Sequence, residues 1–239
     1  MIPADKSGFV GAWLARDAER RVRRAFSAVR VRGLDLVRAE LARGPLLVVS
    51  NHTSWWDPLM LQLLCTRVLR ADAYAVMDAK NLRRLPFFRK VGAFGVDLDD
   101  PADGARAVRY GAKLLDRPNR LVWVFPQGRE APIDAPLELR GGAAAMARVA
   151  RRAKVVPAAL RYEVAGEAKP HAWASFGAPL TEGGVEAQRA AIEAELSRLA
   201  RAARGDAADF DVLHREGEGW FFALAQRMLA RLTRPALSG

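Results

Sequence analysis

The sequence predicts an α/β fold in which a mixed, largely parallel sheet is covered by helices on both faces. Short apolar runs typical of buried strands alternate along the chain with longer segments of helical periodicity, which favours βαβ units. The chain has 239 residues, enough for one large domain with a substantial core. We predict an N-terminal helix over residues 1–31, an α/β domain over 32–205, and a linker with a C-terminal helix over 206–239.

The first 30 residues predict one basic amphipathic helix. Apolar residues recur at helical spacing: Phe9, Trp13, Ala18, Val22, Phe26 and Val29. Arginines occupy much of the remaining surface: Arg16, Arg20, Arg21, Arg23, Arg24 and Arg30. Such a helix can lie in a bilayer interface, with aromatic side chains inserted and arginines at the headgroups. It can equally be an ordinary helix packed on the domain, and the sequence leaves both interpretations open.

The predicted strands and helices then alternate. The strands are LLVVS (46–50), AYAVM (73–77), AFGVD (93–97), RLVWVF (120–125), KVVPAALRY (154–162) and a late strand and turn in HAWASFGAPL (171–180). The helices are PLMLQLLC (58–65), GARAVRYGAKLLD (104–116), GGAAAMARVARRA (141–153), a helix over 185–205 that ends at Gly205, and an amphipathic helix over 220–234.

The composition indicates an anionic partner in a reducing compartment. The formal net charge is +11, mainly from arginine, which suits phosphates, carboxylates or an anionic membrane surface, although genome composition could also explain the arginine excess. The one cysteine, Cys65, excludes an internal disulfide and lies in an apolar run as a buried small hydrophobe. Since no window reaches the length of a spanning helix and no signal sequence is recognisable, we expect a peripheral protein on the cytoplasmic face of the membrane.

The stretch SNHTSWWDPLM follows the first buried strand and contains a candidate catalytic pair. We expect Asp57 to cap the amides of a helix and Pro58 to occupy its first position, so the segment before them is a loop at the carboxyl end of a strand, where open α/β sheets bind ligands. In that loop Asp57 can turn back to the imidazole of His52. A His–Asp pair with no adjacent Ser or Cys suits direct general-base catalysis on an acceptor substrate. The alternative is a histidine that only binds its own loop.

A second motif, VFPQGREAP (124–132), also follows a predicted strand. Pro126 and Gly128 predict a sharp exposed turn after Phe125. The backbone amides of such a turn can face an oxyanion, and Arg129 offers a charged fork for an anionic group.

Together the two motifs resemble a known family. SNHTSWWDPLM resembles the NHxxxxD signature of the glycerolipid acyltransferases, the family of bacterial 1-acylglycerol-3-phosphate acyltransferase, and VFPQGRE stands where that family has FPEGTRS. LRRLPFFRKVGAFGVDLDD, LELRGGAAAMA, KVVPAAL and FGAPL resemble its other blocks, in the same order over roughly residues 32–182.

The resemblance implies a reaction and a set of site residues. His52 would be the base and Asp57 its partner, with an acyl thioester on coenzyme A or acyl carrier protein as donor. The acceptor would be a lysophospholipid, most simply 1-acylglycerol-3-phosphate. The candidate substrate-binding residues are Asn51, Phe125, Pro126, Gln127, Gly128, Arg129, Arg83, Arg84 and Arg140.

Two departures from the family pattern affect the acceptor. Gln127 and Glu130 stand in the block where the family has FPEGTR, and Asp97 is followed by Leu98 where the family usually has an arginine. The family is thought to hold the acceptor's phosphate with both arginines. Either nearby arginines replace them, or the acceptor is a lipid alcohol without a phosphate.

Other functional classes are disfavoured. A hydrolase using the same pair on water would be expected to show a GxSxG elbow, and a nucleic-acid-binding module a recognised fold signature, and the sequence contains neither. The spacing of cysteine and histidine matches no metal motif, so we expect no metal and no cofactor.

Overall fold

Eight strands form one mixed sheet in the computed structural model, which describes residues 1–164 and 166–216. The strands are β1 (Ala28–Arg32), β2 (Leu46–Ser50), β3 (Asp72–Asp78), β4 (Ala93–Val96), β5 (Arg120–Val124), β6 (Lys154–Glu163), β7 (His171–Phe176) and β8 (Asp211–Arg215). Their spatial order is β4-β3-β5-β2-β6-β7-β1-β8. The β6–β7 and β1–β8 pairs are antiparallel, and the other neighbouring pairs are parallel. The predicted fold class is therefore confirmed.

Helices cover the two faces of the sheet. They are α1 (Gly8–Ala25), α2 (Leu34–Arg43), α3 (Asp57–Leu61), which continues as a π-helical segment (Gln62–Val68), α4 (Ala79–Arg84), followed by a 3-10 helix (Pro86–Val91), α5 (Pro101–Leu114), α6 (Gly142–Val149) and α7 (Val185–Ala203). The predicted helix over 58–65 thus begins one residue earlier and widens into π geometry in its second half.

The central strand β2 separates two apolar cores. Leu46 and Val48 pack with residues of α1, α2 and α3 on one face, whereas Leu47 and Val49 pack with residues of α5, α6 and α7 on the other. Because side chains alternate along a strand, a run of four consecutive apolar residues is required where both faces are covered. This double burial fixes the strand and therefore the position of the loop that follows it.

The parallel strands β4, β3, β5 and β2 all end at one edge of the sheet. The segments after Val96, Asp78, Val124 and Ser50 therefore lie side by side, although they are far apart in the sequence. Both motifs of the sequence lie at this edge, after β2 and after β5.

Two strands lie outside the limits predicted for the α/β domain. Residues 28–31 were expected to belong to the first helix, but α1 ends at Ala25 and residues 28–32 form β1, between β7 and β8. The apolar spacing of Phe26 and Val29 fits a helix as well as a strand, which explains the error. Residues 211–215 were expected in a linker, but they form the edge strand β8.

The N-terminal helix α1 has one buried face and one exposed face. Ala15, Ala18 and Val22 are buried against the domain, whereas Phe9 is 85% exposed and Trp13 is 56% exposed. The helix thus packs on the domain and still presents aromatic side chains to the surroundings. The predicted helix over 220–234 lies outside the described residues. None of the helices that the structure describes combines the length and the apolar character needed to cross a bilayer.

Candidate active site

His52 and Asp57 form a hydrogen-bonded pair in the loop after β2. The Nδ1 atom of His52 lies 2.6 Å from Asp57 Oδ2, and the carboxyl group of Asp57 is fully buried. A carboxylate can only accept hydrogen bonds, so Nδ1 carries the proton and Nε2 keeps a free lone pair. His52 lines the large cavity at this edge of the sheet. The pair thus presents a basic nitrogen to the cavity.

The loop folds around the carboxylate of Asp57. The backbone N–H groups of Thr53 and Ser54 donate to Asp57 Oδ2 over 2.9 and 3.1 Å. We expected Asp57 to cap the amides of the helix that follows, but its carboxylate binds the amides of the turn that precedes it, and Asp57 itself is the first residue of α3. The contact across five positions of the chain is possible because the turn, rather than a helix, joins the two residues.

Tyr162 completes the environment of Asp57, and sequence reasoning missed it. Its phenol donates to Asp57 Oδ1 over 2.7 Å from the far end of β6. Burial, and after it the Asp57 carboxylate, raises the pKa of Tyr162 well above its ordinary value. The phenol therefore stays a donor, and both oxygens of Asp57 are held. The only sequence signal was the position of Tyr162 near the end of a predicted strand.

The second motif holds His52 from the side of β5. The ring of Phe125 stacks on the imidazole, with centroids 4.3 Å apart, and Gln127 Oε1 accepts a hydrogen bond from the backbone N–H of His52 over 2.7 Å. The N–H of Ala131 donates to the carbonyl of His52 over 3.0 Å. Phe125 and Gln127 were predicted to bind substrate; in the structure they position the histidine, although Phe125 also lines the cavity.

Asn51, which was predicted to bind substrate, is held by β6 in this structure. Its buried amide spans two strands: Nδ2 donates to the carbonyl of Leu160 over 2.9 Å, and Oδ1 accepts from the N–H of Leu160 over 2.8 Å. Both functional atoms of the side chain are thus occupied by β6, and the residue fixes the end of β2 beside β6.

A cavity of about 810 Å³ opens beside His52, in the upper part of the roughly 300–1,000 Å³ range of ligand pockets. Its walls are mainly apolar and come from both sides of the sheet. Leu61, Cys65 and Ala75 line it on the side of α3, and Val108 and Met146 line it on the side of α5 and α6. Burial raises the pKa of the Cys65 thiol to about 12, so this residue is an apolar wall group rather than a nucleophile.

The turn after β5 lies at the polar end of the cavity. Pro126 is buried and its carbonyl accepts from the N–H of Arg140 over 2.8 Å. Gly128 has a φ of 72°, in the left-handed region, and a Cβ there would lie 3.1 Å from Arg140 Nε. Glycine is therefore required both by the turn and by the closeness of the arginine.

The predicted arginines are not gathered at one point. Arg129 and Arg140 line the cavity; Arg129 pairs with Glu138 over 3.4 Å, and Arg140 donates to the carbonyl of Leu98 over 3.1 Å. Arg83 and Arg84 are exposed at the end of α4 and do not line the cavity, so their predicted role in acceptor binding has no support in this geometry.

Glu130 is a further charged group near His52. Its Oε1 atom lies 3.9 Å from His52 Nε2, the nitrogen that faces the cavity, and the side chain is 53% exposed. Sequence comparison with the family pattern identified Glu130 only as a departure. Its position directly beside the basic nitrogen follows from the turn at Gly128 and could not be read from the spacing.

Comparisons with known proteins identify the family and the fold. A family model described as Acyltransferase matches residues 28–161, more than half of the chain. The crystal structure of the 1-acyl-sn-glycerophosphate (LPA) acyltransferase PlsC from Thermotoga maritima has the same fold. Its TM-score is 0.55 at 17% sequence identity, over 82% of this chain and 81% of that chain. No curated protein sequence matches the chain.

Proposed function

Because the chain belongs to the acyltransferase family, as its motifs predicted, we propose that it moves a fatty acyl group from an acyl thioester to the hydroxyl of a lysophospholipid or related lipid alcohol. The observation that carries this proposal is the His52–Asp57 pair, because His52 lines a large, mainly apolar cavity and its Nε2 is not the atom that binds Asp57. A base without a neighbouring nucleophile suits direct transfer between two bound substrates.

In the proposed reaction His52 handles one proton. Nε2 takes the proton of the acceptor hydroxyl while its oxygen attacks the thioester carbonyl and forms the new C–O bond. Asp57 stabilises the imidazolium that results, as the carboxylate does in a catalytic triad. The C–S bond then breaks, and the departing thiolate takes the proton back from His52. The products are the acyl ester and the free thiol, and no cofactor is required.

The turn after β5 offers donors for the oxyanion of the tetrahedral intermediate. The N–H of Gly128 already binds the carbonyl of Phe125. The backbone N–H groups of Arg129 and Glu130 make no hydrogen bond with any of the described residues. We propose that one or both face the oxyanion, where preorganised amides stabilise the charge that develops.

The cavity supports an acyl thioester as donor, and the exposed apolar side chains support contact with a membrane. An apolar cavity of this size suits a fatty acyl chain carried by coenzyme A or acyl carrier protein. The large exposed apolar side chains on α1, in the loop before α3 and at the 3-10 helix are Phe9, Trp13, Trp55, Leu85 and Phe87. Trp55 and Leu85 line the cavity. The backbone N–H of Ser7, just before α1, donates a hydrogen bond to the carbonyl of Lys90 in the 3-10 helix, so the start of α1 lies beside that helix.

These exposed side chains support a peripheral membrane location. Aromatic residues surrounded by arginines suit the interface of an anionic bilayer, and a net charge of +11 attracts such a surface. We propose that the cavity opens toward the cytoplasmic face of the cell membrane, so that lipid acceptors enter it without crossing water.

Two acceptor classes follow from the sequence. The resemblance implies 1-acylglycerol-3-phosphate, whose phosphate Arg129 could bind if it left Glu138, and the alternative is an acceptor without a phosphomonoester. Glu130 beside His52 Nε2 favours the alternative, because a carboxylate repels a phosphate at that point.

The proposal is tested by turnover of purified protein with acyl-CoA or acyl carrier protein and a panel of lysolipids and lipid alcohols. His52→Ala should lower kcat by about a hundredfold or more, and Asp57→Asn should have a similar effect through the wrong tautomer. His214→Ala is the matched control, because His214 lies on β8 and outside the cavity lining. Near-wild-type turnover in His52→Ala would reject the mechanism.

A further inference from the structure

We propose that the acceptor lipid carries a cationic amine, rather than a phosphomonoester, next to the hydroxyl that is acylated, and that Glu130 recognises this amine. The inference rests on the proposed function and names the acceptor class of the same site. Four features of the described residues lead to it: the position of Glu130, the engagement of the two arginines, the sign of the charges on the cavity wall, and the contrast with the rest of the chain.

Glu130 lies within reach of the substituent next to the acceptor hydroxyl. The hydroxyl has to reach His52 Nε2, and Glu130 Oε1 is 3.9 Å from that nitrogen. In a lipid alcohol the carbon next to the hydroxyl carbon carries the polar group, so this group comes within a few bond lengths of the carboxylate. Among the described residues, the only basic side chain within 4.0 Å of the Glu130 carboxylate is His52.

The two arginines of the cavity are already engaged. Arg129 pairs with Glu138, and its side chain is 75% exposed. Arg140 donates to the carbonyl of Leu98, and its guanidinium lies against Gly128. Neither forms a salt bridge with Glu130. A phosphate at this point would therefore lie beside a carboxylate that neither arginine compensates. Displacing Glu138 from Arg129 would cost little, because both side chains are largely exposed.

The cavity wall is acidic although the whole chain is basic. Its acidic lining residues are Asp78, Asp97, Asp100 and Glu130, against the basic residues Arg129 and Arg140. Asp78 and Asp100 also cap α4 and α5, and Asp100 pairs with Arg106 over 3.3 Å, so the negative charge that acts on a ligand comes mainly from Asp78, Asp97 and Glu130. A net charge of +11 for the chain makes this local excess of carboxylates a property of the site rather than of the composition.

The charge difference between the two acceptor classes is large. An amine carries one positive charge, and a phosphomonoester carries about −1.5 to −2 at neutral pH. A half-exposed carboxylate is screened by solvent, so each unit of charge contributes modestly. Across a difference of nearly three charges, a preference of about tenfold or more for the amine is still expected at low salt.

Three synthetic acceptors that differ only in one substituent test the inference. They share a hexadecyl ether at carbon 1 of the glycerol backbone and a free hydroxyl at carbon 2, and carry at carbon 3 a dimethylamino group, a methoxy group or a phosphate. The ether linkage prevents acyl migration, and the tertiary amine cannot itself be acylated. We measure kcat/KM for each acceptor with the full-length protein at low and high salt.

The variant Glu130→Gln identifies the residue responsible. Glu130→Gln should reduce the ratio of kcat/KM for the amine to that for the phosphate by about tenfold. Asp134→Asn, which removes the same charge from an exposed residue of the same loop outside the cavity lining, should change that ratio by less than about twofold. The ratio is independent of any general loss of activity in a variant.

Wild-type protein should prefer the amine, and the preference should shrink at high salt. A wild-type preference for the phosphate, or an amine preference that survives Glu130→Gln, would overturn the inference while leaving the acyltransferase function intact. Failure of the wild type to acylate any of the three alcohols would contradict the proposed function itself and, with it, the inference.

Discussion

The phenol of Tyr162 donates to Asp57 Oδ1 over 2.7 Å, while Asp57 Oδ2 accepts from His52 Nδ1. The two contacts approach the carboxylate from different strands, because Tyr162 lies on β6 and His52 follows β2. The carboxylate is thus clamped at both oxygens, which fixes the orientation of the imidazole. A general base is effective only when its lone pair points at the proton to be removed.

Tyr162→Phe should lower kcat by about tenfold and leave the KM for the acyl donor almost unchanged. The variant removes one hydrogen bond from a buried carboxylate, a loss worth about 1–3 kcal/mol. Because the pKa of Tyr162 is raised well above its ordinary value, the phenol keeps its proton, and the loss should be the same from about pH 6 to about pH 9.

Tyr110→Phe is the matched control for this substitution. Tyr110 accepts a hydrogen bond from the N–H of Ala4 and does not line the cavity. The measurement is kcat and KM of both variants by steady-state kinetics across this pH range. A loss in Tyr162→Phe that appears in KM alone, or that disappears at one end of the pH range, would contradict a positioning role.

The fold was largely predictable because most of its strands are apolar, and central ones such as β2 and β5 bury both faces. β2 and the other strands of the parallel half are short apolar runs, and the predicted bounds agree with the structure within one or two residues. β1 and β8 were missed for local reasons. Val29 continued the helical spacing of α1, and β8 is a largely exposed edge strand with no apolar pattern. Only its antiparallel pairing with β1 makes it a strand.

The site was predictable as far as its motifs extend. His52 and Asp57 could be identified because they lie in one loop with a recognisable spacing. Tyr162 could not, because sequence order does not reveal that β6 lies beside β2, and the contact joins residues 105 positions apart. The structure does not support the predicted role of Arg83 and Arg84. They belong to the right segment, but on α4 they do not line the cavity.

Gln127→Leu should reduce kcat by about tenfold, whereas Gln127→Glu should retain most activity. Gln127 acts through its Oε1 atom, which accepts from the N–H of His52 over 2.7 Å, and a carboxylate can accept in the same way. Leucine leaves that N–H without its partner and loosens the loop that carries the base.

The measurement for Gln127 is kcat with saturating substrates, with thermal unfolding of each variant as a control for stability. Wild-type activity in both the leucine and the glutamate variant would show that the hydrogen bond to His52 has no catalytic consequence. Loss of activity in both, with unchanged stability, would instead point to a direct contact between Gln127 and substrate.

Phe9→Ser combined with Trp13→Ser should weaken binding to anionic vesicles without unfolding the domain. Both side chains are largely exposed, four residues apart on α1, while the buried face of that helix is formed by other residues. Burying two aromatic side chains in a bilayer interface contributes a few kcal/mol, so we expect binding to fall by at least about tenfold.

Vesicle sedimentation with phosphatidylglycerol-rich and purely zwitterionic lipids measures this effect. Wild-type binding should be stronger to the anionic vesicles and should decrease at high salt, because the arginines of α1 act through charge. Val212→Ser is the control, since Val212 is also exposed but lies on β8 at the far edge of the sheet from β4. Equal binding by the double variant and the wild type would exclude α1 as a membrane contact.

Ala75→Leu should shorten the acyl chains that the protein accepts. Ala75 lines the cavity from β3, where its small side chain leaves open space beside Cys65 and Leu61. A leucine fills part of that space, and overpacking against a long ligand costs about 1–3 kcal/mol. We therefore expect kcat/KM for hexadecanoyl thioesters to fall by about tenfold or more relative to octanoyl thioesters.

The octanoyl donor serves as the internal control, because a general disturbance of the site would lower both values together. An unchanged chain-length profile would show that the acyl chain occupies another part of the cavity, such as the side lined by Val108 and Met146.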